Sequence, residues 1–252
     1  MASRSWFTCA VLLLAGMAMP ARAQLAVDRL WVDFEPRSTP RADVIVRNES
    51  KDRYYITVTP SEIVNPGTDK EQRVEQADPE KLGLLVTPNR LILDPGAIRS
   101  IRIVSLNADL KSDRIYRVKI SPEVGDIDTP AAGDNHAVAI KILAAYDVLV
   151  TARPRNAKAQ LVTTRGTDSL VIRNDGNTNI LLFDGQLCPP GADDKAAPDA
   201  KPVDGKPACE GVGSHRIYPG ASWDLKTQTA ADSLHAKARS FASIDPKTVT
   251  FP

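Results

Sequence analysis

Cysteine, histidine and paired carboxylates are the side chains from which this chain could build a reactive centre. Of its three cysteines, Cys9 falls in an apolar leader, which leaves Cys188 and Cys209. An even pair closing a loop of roughly 20 residues reads as a structural crosslink. Pro189, Pro190, Gly191, Asp193, Asp194, Pro198, Pro202, Gly205 and Pro207 crowd that loop and offer little that could pack. Closing it would remove about 3 kcal/mol of unfolded-chain entropy. A redox or metal pair is the alternative, but CxxC spacing and a nearby histidine cluster are both absent. His136, His215 and His235 stand far apart in polar surroundings and read as solvated residues. No HExxH, GxSxG, P-loop or strand-borne GxGxxG occurs, and Asp193-Asp194 lies in a proline-rich loop. The expectation is a protein without catalytic residues, metal or cofactor, whose chemistry is binding.

The elements that would present a binding surface are strands. Val44–Val46, Tyr54–Val58, Gly83–Val86, Arg90–Leu93, Ile98–Val104 and Ile115–Ile120 are rich in β-branched and aromatic residues. Asn48–Asp52, Asn65-Pro66-Gly67 and Asp94-Pro95-Gly96 supply turn chemistry between them. Such a density of short strands predicts an antiparallel immunoglobulin-like sandwich. Its last strand, Ala137–Val150, is unusual. At period two, Val138, Ile140, Ile142 and Ala144 share one face, and Ala139, Lys141, Leu143 and Ala145 share the other. With both faces largely apolar, it is either a central strand covered twice or an edge that another chain must cover.

Arg153-Pro154-Arg155-Asn156 interrupts the strand pattern and reads as a linker. The expected organisation is a first sandwich over 24–153, a linker over 154–157 and a second sandwich over 158–252. Strands are expected at Gln160–Thr163, Ser169–Arg173, Ile180–Phe183, Arg216–Tyr218, Ser222–Lys226 and Thr248–Phe251, with a short helix within the alanine-rich Ala230–Ala242. The smaller second core explains a need for the disulfide.

Residues 1–23 read as an export signal: Arg4, an apolar Trp6–Met19 run, and Ala21-Arg22-Ala23 before Gln24. The run is too short to span a bilayer, so no membrane insertion is expected. Cleavage would remove Arg4 and Arg22 but no acidic residue, taking the formal charge from +1 to −1. No basic excess remains to drive nucleic-acid binding.

Several motifs then fall in a telling order: Ile63–Thr68, Gly83–Pro88, Asp94-Pro95-Gly96 with Ser100–Ile103, Ile115–Val118, Asn174–Asn177, the cysteine pair, and Ile217–Gly220. Together they resemble the periplasmic chaperones of the chaperone–usher pathway, the PapD-like family, and within it the alternate (class 5, CfaA-like) subgroup. The resemblance implies an all-β boomerang of two immunoglobulin-like domains. Its implied work is to hold pilin subunits and deliver them to an outer-membrane usher. It also implies that the last strand of the first domain is lent to a subunit lacking one strand, with Val138, Ile140, Ile142 and Ala144 filling the groove. A free chain could hide that edge by self-pairing.

In the better-known branch an Arg and a Lys grip the subunit's C-terminal carboxylate, but Trp31 and Leu149 occupy those positions here. The candidate replacements are Arg117, Arg102 and Arg29, with Arg117 preferred. The resemblance further implies that Arg153 fixes the domain angle through an ion pair, with Asp94 as its candidate partner. A secreted β-sandwich adhesin or pilin-like protein is the alternative reading.

Overall fold

Alternation of buried and exposed residues governs most strands of the computed structural model, which describes residues 25–124, 142–192, 208–240 and 245–252. In the first half the strands are β1 (Leu25–Val27), β2 (Trp31–Phe34), β3 (Arg41–Asn48), β4 (Tyr54–Val64), β5 (Gln72–Glu75), β6 (Leu84–Thr87), β7 (Arg90–Leu93), β8 (Ile98–Ser105), β9 (Arg114–Val124) and β10 (Tyr146–Ala152). One short helix, α1 (Pro79–Leu82), precedes β6. The order β1-β3-β8-β6 forms one sheet; the order β2-β10-β9-β4-β5, with β7 also on β4, forms the facing one. Pairing is antiparallel except that β10 runs parallel to β2. Val44, Val46, Ile101 and Ile103 from the first sheet meet Ile56, Val58, Val118, Ile120, Val148 and Val150 from the second, all almost fully buried. Each such side chain contributes about 1.5–3 kcal/mol on burial, so the alternation itself sets which face of each strand points inward.

The second half holds β11 (Leu161–Arg165), β12 (Ser169–Asn174), β13 (Ile180–Cys188), β14 (Glu210–Ile217), β15 (Ser222–Lys226), β16 (Ser233–Ser240) and β17 (Lys247–Phe251). They form a three-stranded sheet, β11-β12-β15, and a four-stranded sheet, β14-β13-β16-β17. A separate core of Leu170, Ile172, Leu182, Ile217 and Leu234 lies between them. The two halves are thus two β-sandwiches. Cys188 at the end of β13 is bonded to Cys209 just before β14, pinning the mouth of the connection between those strands.

Three expectations need correction. The alanine-rich stretch is strand rather than helix. Leu234, Ala236 and Ala238 are buried at alternate positions because β16 is hydrogen-bonded on both sides, to β13 and β17, and this pairing overrides the helical preference of alanine. The last strand of the first sandwich starts at Tyr146; Ile142–Ala145 carry no regular pairing, and Val138 and Ile140 lie outside the described residues. His215 is not a solvated residue: it is half-buried, stacked on Trp223 with ring centroids 5.1 Å apart, and burial lowers its pKa.

Candidate functional site

The sheet containing β10 turns its outer face toward the second sandwich, and three residues on that face form one cross-strand row. Trp31 on β2 is opposite Leu149 on β10, which is opposite Arg117 on β9. Their neighbours Val32, Val148, Val150 and Val118 point into the core, so alternation forces these three outward. Trp31 is 69% exposed, a large indole open to solvent. Arg117 is half-buried and its guanidinium donates to the Asp147 carbonyl at 3.4 Å.

The second sandwich presents a matching row. On β13, Leu181 pairs with Arg216 of β14 on one side and Arg239 of β16 on the other. Leu182, Ile217 and Ala238, one step along each strand, are core residues, so this row too points outward. Between the two rows lies a cavity of about 340 Å³. Trp31, Asp33, Leu149, Thr151 and Arg153 line its first wall, and Asn179, Leu181, Arg216, Arg239 and Ser240 line the second. Arg216 donates to Asn179 Oδ1 at 2.6 Å, and the Arg239 guanidinium lies 5.2 Å from the Phe183 ring centre. Among the described residues neither arginine meets a carboxylate within 4 Å.

Three contacts hold the walls apart. Arg153, only 5% exposed at its side chain, bonds Asp33 at 2.8 Å and Thr178 at 2.7 Å and approaches Asp113 at 3.5 Å. Asp113, its side chain fully buried, reaches across from the first sandwich. Its carboxylate accepts from the Asn179 backbone N–H at 2.7 Å and from the Asn179 amide at 2.6 Å. Burial pushes the Asp113 carboxyl above the usual aspartate range, against the pull of the Asn179 donors and the Arg153 charge. Elsewhere between the sandwiches, Gly67 of the Asn65-Pro66-Gly67 turn packs on the ring of Tyr218. Gly67 has φ +73°, and a Cβ there would stand 3.0 Å from the ring, so a side chain would be strained in conformation and would press on the ring. Burial also raises the Tyr218 phenol, while the Arg216 and Arg117 charges draw it back.

The structure sorts the candidate residues. Arg117 shares the row of Trp31 and Leu149. Arg102 is on β8, in the other sheet, and is held bidentately by Asp43 at 2.9 and 3.2 Å. Arg29 lies in the bend between β1 and β2 and pairs with Asp28, not on a strand face beside Trp31. The Arg153–Asp94 pair does not form: Asp94, in the turn between β7 and β8, is taken by Arg53 at 2.6 Å. Arg153 instead finds Asp33 on the strand that β10 itself pairs with, and the Asp113 carboxylate. Ile142, 81% exposed, and the exposed Ala144 lie just before β10, while Leu143 between them packs on the core. Asp113, Arg216 and Arg239 carry no signal in the sequence and emerge only from the fold. Among the described residues no group of three His, Cys, Asp or Glu side chains could hold a metal, and no helix is long and apolar enough to cross a membrane.

No family model matches the chain. A CS1 fimbrial subunit of Escherichia coli is 28% identical over 183 residues, 71% of each chain. Among solved structures, the class 5 fimbriae chaperone CfaA superposes with a TM-score of 0.65 at 21% identity, over 90% of this chain and 98% of that one. A chain from the chaperone–tip adhesin complex of CFA/I fimbriae biogenesis gives 0.64 at 22% identity, over 91% and 98%. The chain therefore has the two-sandwich fold of the fimbrial chaperones, the class 5 chaperone among them, as its sequence motifs indicated.

Proposed function

We propose that this protein is a periplasmic chaperone that captures fimbrial subunits by strand donation and passes them to an outer-membrane usher. The observation that carries this reading is the open edge of β10. Among the described residues, Tyr146–Val148 pair with β9 on one side only, because β2 covers β10 only from Leu149 onward. Immediately upstream stand the exposed Ile142 and Ala144. An unpaired backbone edge beside exposed alternate apolar side chains is what strand addition needs. Main-chain hydrogen bonds supply affinity, and side chains entering the partner's groove supply fit. Val138 and Ile140 would continue the alternation. The action is binding alone, without catalysis, cofactor or metal, and the complex that a chaperone of this fold forms with a tip adhesin supports a fimbrial subunit as partner.

The test is co-purification of tagged subunit with Ile142→Asp from periplasmic extract. A carboxylate carried into an apolar groove without a partner is costly, so recovery should drop at least about tenfold with the melting temperature unchanged; undiminished recovery would sink the assignment. A second reading, a pilin-like structural protein, draws on the name of the CS1 relative. It requires the chain to be found in purified fimbriae, whereas a chaperone should be absent from them.

A further inference from the structure

We infer that Arg73 is a positioning residue for strand capture: from the β4–β5 hairpin it holds Asp147, the residue of β10 that offers a ready ladder position on the open edge. This inference rests on the strand-capture reading above and adds where pairing starts and what fixes that place. Leu149 donates its N–H to the Leu30 carbonyl at 2.9 Å, so its backbone faces the lane of β2. Backbone direction repeats at every second residue of a strand, which turns the N–H and C=O of Asp147 into the same lane. Among the described residues β2 does not cover β10 there. The backbones of Tyr146 and Val148 face β9 instead, and Ile142–Ala145 carry no regular pairing. An added strand therefore finds its first ordered partner at Asp147.

The Asp147 carboxylate is held from the far side of the sheet. Val148 is fully buried, so Asp147 projects from the outer face. Lys119 stands directly opposite on β9, a cation at hand for a local cross-strand pair. Both carboxylate oxygens nonetheless accept from the Arg73 guanidinium, at 2.7 and 2.6 Å. Sheet order puts Arg73 on β5, three strands away from β10. A flat sheet would separate those strands by about 14 Å, so the hairpin must curl across the outer face. It does so as a stiff arm. β5 is laddered to Ser61–Val64, the Gly67 N–H donates to the Glu71 carboxylate, and the Thr68 N–H donates to the Asn65 carbonyl. Its tip rests on Tyr218 of the second sandwich. A bidentate grip from such an arm fixes Asp147 before a partner arrives, which removes part of the ordering cost of capture. Arg117 adds a bond to the Asp147 carbonyl at 3.4 Å, whose second lone pair stays open to an incoming N–H.

The test compares recovery of a tagged fimbrial subunit, co-expressed in the periplasm, by the full chain and its variants, beside the melting temperature of each. Arg73→Ala and Asp147→Asn should each lower recovery about fivefold. An exposed ion pair adds little to stability, so the melting temperature should hardly move. Arg73→Lys keeps the charge without the fork of donors and should restore part of the loss. The exchanged pair, Arg73→Asp with Asp147→Arg, should restore most of it, which a residue acting only through the bulk of the hairpin would not do. Should Arg73→Ala fail to fold, Asp147→Asn and the exchanged pair carry the same comparison. Parent-level recovery by both single variants overturns the inference while strand capture stands. A loss that the exchanged pair leaves unrepaired also overturns it, because the two residues would then act apart. No subunit recovered by the parent overturns both readings.

Discussion

Asn48 and Asn174 occupy equivalent places in the two sandwiches, each fully buried at the end of a strand. The Asn48 amide donates to the carbonyls of Asp52 and Leu93 at 2.7 and 2.9 Å, and its oxygen accepts from the Ser50 N–H at 2.9 Å. Asn174 donates to the Thr178 and Ile217 carbonyls at 2.9 and 3.1 Å and accepts from the N–H groups of Gly176 and Gln160. Each backbone also meets a Pro-Gly turn, Gly96 donating to Asn48 and Gly220 to Asn174. Orphaning a buried polar group costs about 1–3 kcal/mol, so Asn48→Ala and Asn174→Ala should each destabilise by about 2 kcal/mol or more in urea titrations. Asp should not rescue either site, because two carbonyls need a donor. A tolerated Asp would show that these amides do not organise their turns. Both turns are marked in the sequence by Asn-rich and Pro-Gly segments, whose chemistry is local. Asp113 is not, because its partners lie in the other sandwich. Nor are Arg216 and Arg239, which meet Leu181 only through pairing between strands far apart in the chain.

Among the elements, legibility tracks how much of the information is local. Strands with β-branched alternation, such as β8 and β9, can be placed from residue type, since a half-buried pleat selects those residues. Ser222–Lys226 is placed to the residue. β16 is misleading because Leu234, Ala236 and Ala238 fit a helix by propensity, and only the two neighbouring strands make it a strand. β5, exposed along its whole length, has no apolar alternation to detect. The crosslink is legible because the loop it closes has a composition that cannot pack. Its energetic role belongs to the element it closes. Cys188→Ser with Cys209→Ser should lower stability by about 3 kcal/mol and move the calorimetric transition down. Subunit capture at low temperature should stay intact, because the disulfide lies off the cleft wall. Loss of capture in folded double-Ser protein would instead tie β13 geometry to the site.

At the scale of the whole molecule, the cleft exists only because two separate cores are held at a set angle, and the most buried of the groups holding it is Asp113. Its carboxylate binds Asn179 across the junction, and Arg153 bridges Asp33, Asp113 and Thr178 beside it. Such a buried ionic junction sets geometry more than it adds stability. Burial raises the Asp113 pKa, so the folded protein binds this proton more tightly than the unfolded chain does. Linkage then gives the sign. The contribution of Asp113 to stability is fully present below the pH at which aspartate titrates in the unfolded chain. It is lost as pH rises through the higher native value and is constant above that. Asp113→Asn keeps an acceptor for the Asn179 N–H and removes the titration. The stability of the parent relative to this variant should therefore fall as pH rises across that window. Urea midpoints for both proteins in acidic to neutral buffers, taken as a difference to cancel Asp28, Asp43 and Asp232, measure it directly. Those three carboxylates have lowered pKa values and lose stability in the opposite direction, as pH falls. A parent-minus-variant difference that grows with pH would mean that the Asn179 donors and Arg153 outweigh burial, making the junction an anion clamp at neutral pH.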